Sequence, residues 1–148
     1  PTHSETRHLP YTAQQMYDLV ADVGRYPEFL PWCVATRVRE RQQGAGGDTI
    51  LADMVIGFKM FRETFTSNVV CRGPERIDVT YFDGPFKYLN NHWIFESSID
   101  GGCMIDFYVD FEFKSRIFQA AIGAVFNEAV KRMIHAFEKR ADELYGEG

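Results

Sequence analysis

The sequence has few of the residues that build several common kinds of site. It contains three cysteines in 148 residues, at positions 33, 71 and 103 and without a Cys-x-x-Cys pair, so neither a disulfide framework nor a cysteine-based zinc site is indicated. The four histidines show no metal-ligand spacing. No nucleophile elbow, phosphate-binding glycine loop or zinc-protease helix motif occurs. We therefore expect no catalytic residue, no metal and no catalytic cofactor.

Positive charge and long apolar runs are also scarce. Lys and Arg number 16 against 21 Asp and Glu, and the net charge of −5 gives no general attraction to nucleic acid or to anionic lipid. No stretch reaches the roughly 20 apolar residues that a membrane span requires. Residues 1–10 lack an apolar core of signal-peptide length. These features predict a cytoplasmic protein with one domain over residues 1–148.

What the sequence does contain is a succession of strand patterns separated by turn residues. The clearest pattern covers residues 103–113, where every second residue from Ile105 to Phe113 is apolar and the others are mostly polar. Other runs rich in Phe, Val, Ile, Thr and Tyr predict strands at 34–41, 49–58, 60–71, 75–82 and 88–97, with an edge strand at 5–9. The intervening turns are too short for parallel crossovers, which indicates an antiparallel sheet.

Three helices are predicted around this sheet. Thr12 and Gln15 have the spacing of a capping box that begins a short helix, and Pro27 and Pro31 bracket a second short one. Residues 115–145 carry one long helical pattern. Its predicted sheet-facing stripe consists of Phe118, Ile122, Val125, Ala129, Met133, Ala136, Phe137, Ala141 and Leu144. Because residues 117–127 hold no charge on any side, the opposite face of this half is apolar too and needs a cover.

The sizes of these elements have a geometric consequence. Six or seven strands about 4.8 Å apart make a sheet near 30 Å wide, whereas one helix is only about 10–12 Å across. The sheet must therefore curve around the long helix, and large side chains either fill the space between them or leave a cavity. We predict an α+β fold with a curved antiparallel sheet wrapped around the C-terminal helix. The 22 aromatic residues suit either outcome, and ordinary core packing is the simpler account of each one taken alone.

Several motifs, in order along nearly the whole chain, resemble the coenzyme Q-binding protein family. They are residues 22–33 (DVGRYPEFLPWC), 57–59, 62–67, 83–87 with Trp93, and 111–113. This family is a START-like branch of the polyketide cyclase and lipid-transport proteins. The resemblance implies a helix-grip fold with an apolar tunnel, and binding of ubiquinone or a similar polyisoprenoid in support of respiration. It also implies an alternative, because some bacterial relatives are described as ribosome-association toxins that interfere with subunit joining.

From the residues and the resemblance we predict a non-enzymatic lipid-binding domain with a ubiquinone-like quinone as its ligand. Periodicity places Phe107, Phe111, Ile122, Val125 and Phe126 in the tunnel, motif position adds Phe86, Leu89 and Trp93, and a gate for the tail is formed by Tyr26, Phe29, Leu30 and Trp32. Contact with the inner membrane face during loading is expected to be peripheral and transient, through the apolar gate. Gly123 in mid-helix is expected to mark a close approach of ligand or backbone.

A polyketide cyclase-like enzyme is a second alternative. Glu63 shares strand parity with Phe61 and Phe65, so its carboxylate would point inward and could serve as an acid or base. His92 and Asp83 lie near Trp93 in the sequence. The simpler interpretation is that Glu63 pairs with Arg62 or Arg72, or sits at the rim of the sheet.

The ribosome alternative would rest on basic residues. These are Arg37, Arg39 and Arg41 on one side of a strand, and Lys131, Arg132, Lys139 and Arg140 along the helix. Neighbouring acids such as Glu40, Glu128 and Glu138 dilute this charge, so a solvated face is the simpler interpretation.

Overall fold

A computed structural model describes residues 1–58 and 60–146, and within them seven strands form one antiparallel sheet. The elements are β1 (Thr2–Leu9), α1 (Ala13–Ala21), a 3-10 helix (Val23–Glu28), β2 (Cys33–Gln42), β3 (Asp48–Phe58), β4 (Phe61–Arg72), β5 (Arg76–Asp83), β6 (Phe86–Ser97), β7 (Cys103–Phe113) and α2 (Arg116–Tyr145). The strand order is β1-β7-β6-β5-β4-β3-β2. The predicted α+β helix-grip fold is confirmed. Lys59, the last residue of the 57–59 motif, lies outside the described residues.

The predicted strands agree with the observed ones to within two residues, except at the N-terminus. Strand β7 has the predicted bounds, because an apolar residue recurs at every second position from Cys103 to Phe113. The edge strand was predicted from residue 5 but β1 begins at Thr2, and it pairs with β7 from Thr2 opposite Asp110 to Leu9 opposite Cys103. Its first residues are polar, so hydropathy could not indicate where the strand starts.

The sheet is bent by irregular pairing at several places. Register shifts interrupt β2 against β3 twice, and one shift each interrupts β4 against β5 and β6 against β7. An extra residue on one strand increases the local twist. The bends leave one face of the sheet concave, toward α2.

The N-terminal helices begin as their capping chemistry dictates. Thr12 caps α1: its hydroxyl accepts from the Gln15 amide, and the Gln15 side chain accepts from the Thr12 amide, both at 3.0 Å. This confirms the predicted capping box. The second helix was placed between Pro27 and Pro31, which was wrong, because it spans Val23–Glu28 with Pro27 inside. Pro27 is the fifth of the six residues, so the donor that it lacks is missing only near the end of the helix.

Helix α2 starts one residue after its N-cap, Ser115, whose hydroxyl accepts from the Phe118 amide at 3.3 Å. The predicted sheet-facing stripe was partly wrong. The fully buried stripe is Phe126, Val130, Ile134, Phe137 and Ala141, so only Phe137 and Ala141 of the predicted set belong to it, and Leu144 is 51% exposed. The first half of the helix is apolar on every side, and periodicity therefore could not determine which side faces the sheet.

The core lies between α1, α2 and the concave face of the sheet. Met16 and Val20 of α1 and Ile77 of β5 are among its most buried side chains. The Tyr17 ring meets Phe95 of β6 edge-on, with centroids 6.1 Å apart. Among the described residues, no helix is both long and apolar enough to span a membrane.

Candidate functional site

The concave face of the sheet and the first half of α2 enclose a cavity of about 330 Å³. Inward-facing residues of β3 to β7 form its wall, and α2 forms the opposite side with Phe118, Ile122, Val125, Phe126, Ala129, Val130, Met133 and Phe137. The sheet is too wide for one helix to fill, as the dimensions predict, and the aromatic side chains leave room between them. The part of the predicted stripe that is not fully buried, from Phe118 to Met133, lines this space.

Packed aromatic rings close the inner end of the cavity. The Trp93 ring meets Phe107 at 4.7 Å and Phe137 at 5.0 Å between centroids. The Tyr26 ring meets Phe137 edge-on at 5.4 Å, and its hydroxyl donates to the carbonyl of Val20. Burial raises the pKa of Tyr26, so its phenol stays protonated. These ring contacts close the inner end of the cavity, and none of the side chains that make them is charged.

The β3–β4 hairpin and the start of α2 border the other end of the cavity, where the lining rings Phe58, Phe61 and Phe118 are only half-buried; we call this end the mouth. The Phe61 ring stands perpendicular to Phe118 across this mouth, with centroids 4.4 Å apart. Trp32 meets the Phe58 ring at 6.2 Å, and its carbonyl accepts from the Gly57 amide at 2.8 Å. Its φ of 65° is in the left-handed region, which is strained for a bulky residue. The surrounding contacts therefore hold Trp32 in place beside the opening.

Eleven of the twelve predicted site residues line this cavity: Tyr26, Leu30, Trp32, Phe86, Leu89, Trp93, Phe107, Phe111, Ile122, Val125 and Phe126. Phe29 does not. Its ring packs on Tyr26 and Phe137, and the Arg140 guanidinium lies 5.2 Å from its centroid. Phe29 instead borders a second hollow of about 480 Å³ on the outer side of α2.

Gly123 does not mark a close approach, and that expectation was wrong. The residue is exposed, and a Cβ built on it would have no neighbour within 4 Å. It lies on the solvent side of α2, away from the sheet. A side chain at this position would not enter the cavity.

Few polar side chains face the cavity. Glu63 of β4 points inward, as its strand parity predicted. The other polar side chains that line the cavity from the described residues are those of Ser67, Asn91, Tyr26 and Cys33. The Asn91 amide nitrogen donates to the Tyr108 carbonyl at 2.8 Å, which fixes the orientation of its side chain. Within the described residues Glu63 has no ion pair with Arg62 or Arg72; Arg72 contacts the Gly46 carbonyl at 2.9 Å and Asp78 at 3.4 Å.

The other groups considered for catalysis lie outside this space or are inactive in it. His92 faces outward and stacks on Tyr108 with centroids 5.0 Å apart, and Asp83 is exposed. Cys33 lines the cavity, but burial raises the pKa of its thiol to about 11. Among the described residues, no group of three or more His, Cys, Asp or Glu side chains could hold a metal ion.

Much of the wall was not predicted from the sequence. The largest such group is aromatic: Phe58, Phe61, Phe65 and Phe113, together with Phe118, which was predicted to face the sheet but not to line a site. Phe65 and Phe113 join Phe86 in a second cluster, with Phe86 stacked on Phe113 at 4.6 Å. The shared parity of Phe61, Glu63 and Phe65 was visible, but only the structure, through the contact of Phe61 with Phe118, shows that this side of β4 faces α2.

A family model described as polyketide cyclase / dehydrase and lipid transport matches residues 9–138. Among curated proteins, the ribosome association toxin RatA of Escherichia coli is 37% identical over 145 residues, covering 98% of this chain and 89% of that protein. The mitochondrial coenzyme Q-binding protein COQ10 homolog B of Xenopus laevis is 34% identical over 148 residues, covering 97% of this chain and 59% of that protein.

Solved structures agree with this result. The solution structure of an 18 kDa protein from Caulobacter crescentus has a TM-score of 0.81 and 36% identity, and covers 99% of both chains. A Streptomyces aromatase/cyclase has a TM-score of 0.80 and covers 97% of this chain and 94% of that one, but at 14% identity it shows the fold alone. The chain, with its START-like helix-grip fold, therefore belongs to the polyketide cyclase / dehydrase and lipid transport family.

Proposed function

We propose that this protein binds ubiquinone or a similar polyisoprenoid lipid in its cavity and carries it without altering it chemically. The observation that carries the proposal is the cavity itself, about 330 Å³ of almost wholly apolar space that the protein's own rings do not fill. Ligand sites typically enclose about 300–1,000 Å³ and place a few polar groups in an apolar lining. The similarity to a coenzyme Q-binding protein supports a quinone as the ligand.

The chemistry of the lining favours a carrier over an enzyme. Glu63 is the one carboxylate that faces the cavity from the described residues, and no second acid or base stands beside it. The Tyr26 hydroxyl is engaged with the Val20 carbonyl, and the raised pKa of Cys33 keeps its thiol protonated at neutral pH. Nucleophilic catalysis needs an activated nucleophile, and a lone carboxylate can supply only general acid or base catalysis. Binding needs neither.

The two tryptophans provide a direct test, because Trp32 and Trp93 are the only ones in the chain and both line the cavity. The delipidated protein should be titrated with a short-chain ubiquinone, with tryptophan fluorescence as the readout. We expect saturable quenching at one quinone per chain. A linear decrease equal to that of free tryptophan would mean collision in solution and would reject the proposal.

A second function, ribosome association, is favoured by a different observation. The hollow on the outer side of α2 is bordered by Lys131, Arg132, His135, Lys139 and Arg140, and relatives 34–37% identical are named ribosome association toxins. Arg140 contacts Glu28 at 2.6 Å and Arg132 contacts Glu128 at 3.5 Å. Among the described residues Lys131 and Lys139 have no such partner. Two lysines are thus available for phosphate groups.

Cosedimentation with ribosomal subunits at increasing salt tests this second function. Binding that falls with salt, and that is lost in a Lys131→Glu, Lys139→Glu double variant but kept in Arg116→Glu, would support it. Binding indifferent to salt, or equal for both variants, would reject it. Neither result depends on the cavity being occupied.

A further inference from the structure

Two apolar side chains at the mouth of the cavity project into solvent. Met60 at the tip of the β3–β4 hairpin is 95% exposed, and Ile117 in the first turn of α2 is 74% exposed. Each directly adjoins one of the two rings that meet across the mouth, Phe61 and Phe118. The Met60 and Ile117 side chains therefore extend the apolar surface of the cavity outward, although neither side chain lines the cavity itself.

The exposed side of α2 continues this surface. Ala120, Gly123 and Ala124 are exposed, and residues 117–127 include no charged residue. Exposed uncharged faces of this kind are uncommon on surface helices, which normally present charged residues to water. The helix half that borders the cavity is thus apolar on its outside as well.

Positive charge surrounds the same opening. Arg62 follows the hairpin tip, and Lys114 and Arg116 flank Ser115, the N-cap of α2; all three side chains are exposed. Within the described residues none of the three makes an ion pair or a side-chain hydrogen bond. The first turn of α2 holds no acidic residue, although acids are the favoured charge there. Cations at this position oppose the helix dipole, so they do not stabilise the start of α2.

The acidic residues at this end do not cancel that charge. Glu112 contacts Lys87 at 3.8 Å, Asp83 is exposed at the end of β5, and Glu63, next to Arg62, lines the cavity. The three cations Arg62, Lys114 and Arg116 therefore outnumber Asp83 and Glu63 by one. The net charge of −5 therefore conceals an uneven distribution: cations without ion pairs lie at this apolar rim, as they do at the hollow on the outer side of α2.

We propose that this rim, formed by Met60, Arg62, Lys114, Arg116 and Ile117, docks on an anionic phospholipid bilayer. Met60 and Ile117 enter the acyl boundary, while the cations contact lipid phosphates. Apolar side chains surrounded by Lys and Arg match such a bilayer, because its acyl chains are apolar and its headgroups are anionic. The inference rests on the proposed carrier function, since docking in this orientation joins the cavity to the bilayer interior. It replaces the expectation that this protein contacts the membrane only through apolar gate residues because its net charge is negative.

Vesicle cosedimentation with the full delipidated chain tests the docking surface. We expect binding to phosphatidylcholine vesicles that contain phosphatidylglycerol, and much less to phosphatidylcholine alone. Arg116→Glu should weaken binding at least fivefold, because one cation at an anionic surface contributes about that factor. Ile117→Asp and Met60→Asp should abolish it. The two helix substitutions add acid to a first turn, where the dipole favours it, so α2 is retained.

Two variants at the far end of the sheet are matched controls. Ile99, in the β6–β7 turn, is fully exposed, and Arg41 is exposed near the far end of β2. Ile99→Asp and Arg41→Glu should bind vesicles like the parent protein. Equal losses in the control and rim variants, or equal binding to both kinds of vesicle, would overturn the proposal.

Fluorescence titration with soluble short-chain quinone separates docking from the proposed function. Rim variants that lose vesicle binding but keep quinone uptake would support the rim as a docking surface alone. If the parent protein binds anionic vesicles but takes up no quinone, the carrier function fails while docking stands. Uptake lost together with vesicle binding in every rim variant would mean that the rim shapes the cavity, and would overturn the docking role.

Discussion

Ala129 offers the sharpest perturbation of the cavity, because it faces the cavity from the middle of the α2 wall. A cavity of about 150 Å³ holds one benzene molecule in another protein. The phenyl group of Ala129→Phe would therefore occupy on the order of half of the 330 Å³. The space left is about that of one more ring, too little for a quinone head and the start of its tail. We expect the amount of bound lipid to fall at least tenfold.

The same substitution should not destabilise the empty protein. Moving the phenyl group from water into the cavity contributes roughly 1.5–3 kcal/mol to the free energy of unfolding. For a chain of this size that corresponds to a rise of roughly 3–12 °C in Tm. The matched control is Ala124→Phe, on the exposed side of the same helix. Both variants lose the same helix propensity, about 0.5 kcal/mol. The difference between their free energies of unfolding therefore measures the effect of filling the cavity.

The assay is to purify both variants and the parent from cells that make quinone, extract the bound lipid and record thermal unfolding after delipidation. Ala129→Phe should be lipid-poor with a Tm above that of Ala124→Phe, and Ala124→Phe should be lipid-replete. Gly123→Leu serves as a second control, because that position faces solvent. A folded Ala129→Phe protein with the lipid content of the parent would refute the position of the ligand.

Three further predictions concern stability and reactivity. Phe137→Ala should lower the free energy of unfolding by about 3–5 kcal/mol in urea titration, because the ring is 3% exposed and packs on Trp93. The control Ile99→Ala should change it by less than about 0.5 kcal/mol. Similar losses in the two variants would contradict this packing. Thr12→Ala removes half of the capping box and should cost about 1 kcal/mol by the same measurement; no loss would mean that the cap contributes nothing. The raised pKa of Cys33 leaves about 100-fold less thiolate at neutral pH than an unperturbed thiol, so alkylation should be slow and should accelerate as pH rises toward 11. Rapid labelling at pH 7, located on Cys33 by peptide mapping, would show that this thiol is not buried.

Local patterns predicted elements well where one period dominated. Strand β7 and the cap of α1 were placed correctly because alternation and the Thr12–Gln15 spacing each have a single structural meaning. The start of β1 was missed because its residues are polar and are held by pairing with β7 rather than by burial. Pairing partners are not encoded in local hydropathy.

The site was predictable where a motif or a face was unambiguous, and not elsewhere. Val125 and Phe126 are neighbours on α2, yet Phe126 is 6% exposed and Val125 36%, and both line the cavity. Phe29 lies within the same motif as the cavity residue Leu30 but turns to the other side of α2. Such differences depend on how the helix is rotated over the sheet. The basic rim was missed for a similar reason, since it is assembled from a hairpin tip and a helix start that are distant in sequence.

Native mass spectrometry of the untreated protein, purified without detergent from cells that make quinone, tests most directly whether the interior space holds a lipid. The proposed function predicts an added mass of one isoprenoid quinone per chain, lost on extraction with organic solvent and greatly reduced in Ala129→Phe. A protein that carries only its own mass from such cells, while remaining folded, would contradict it.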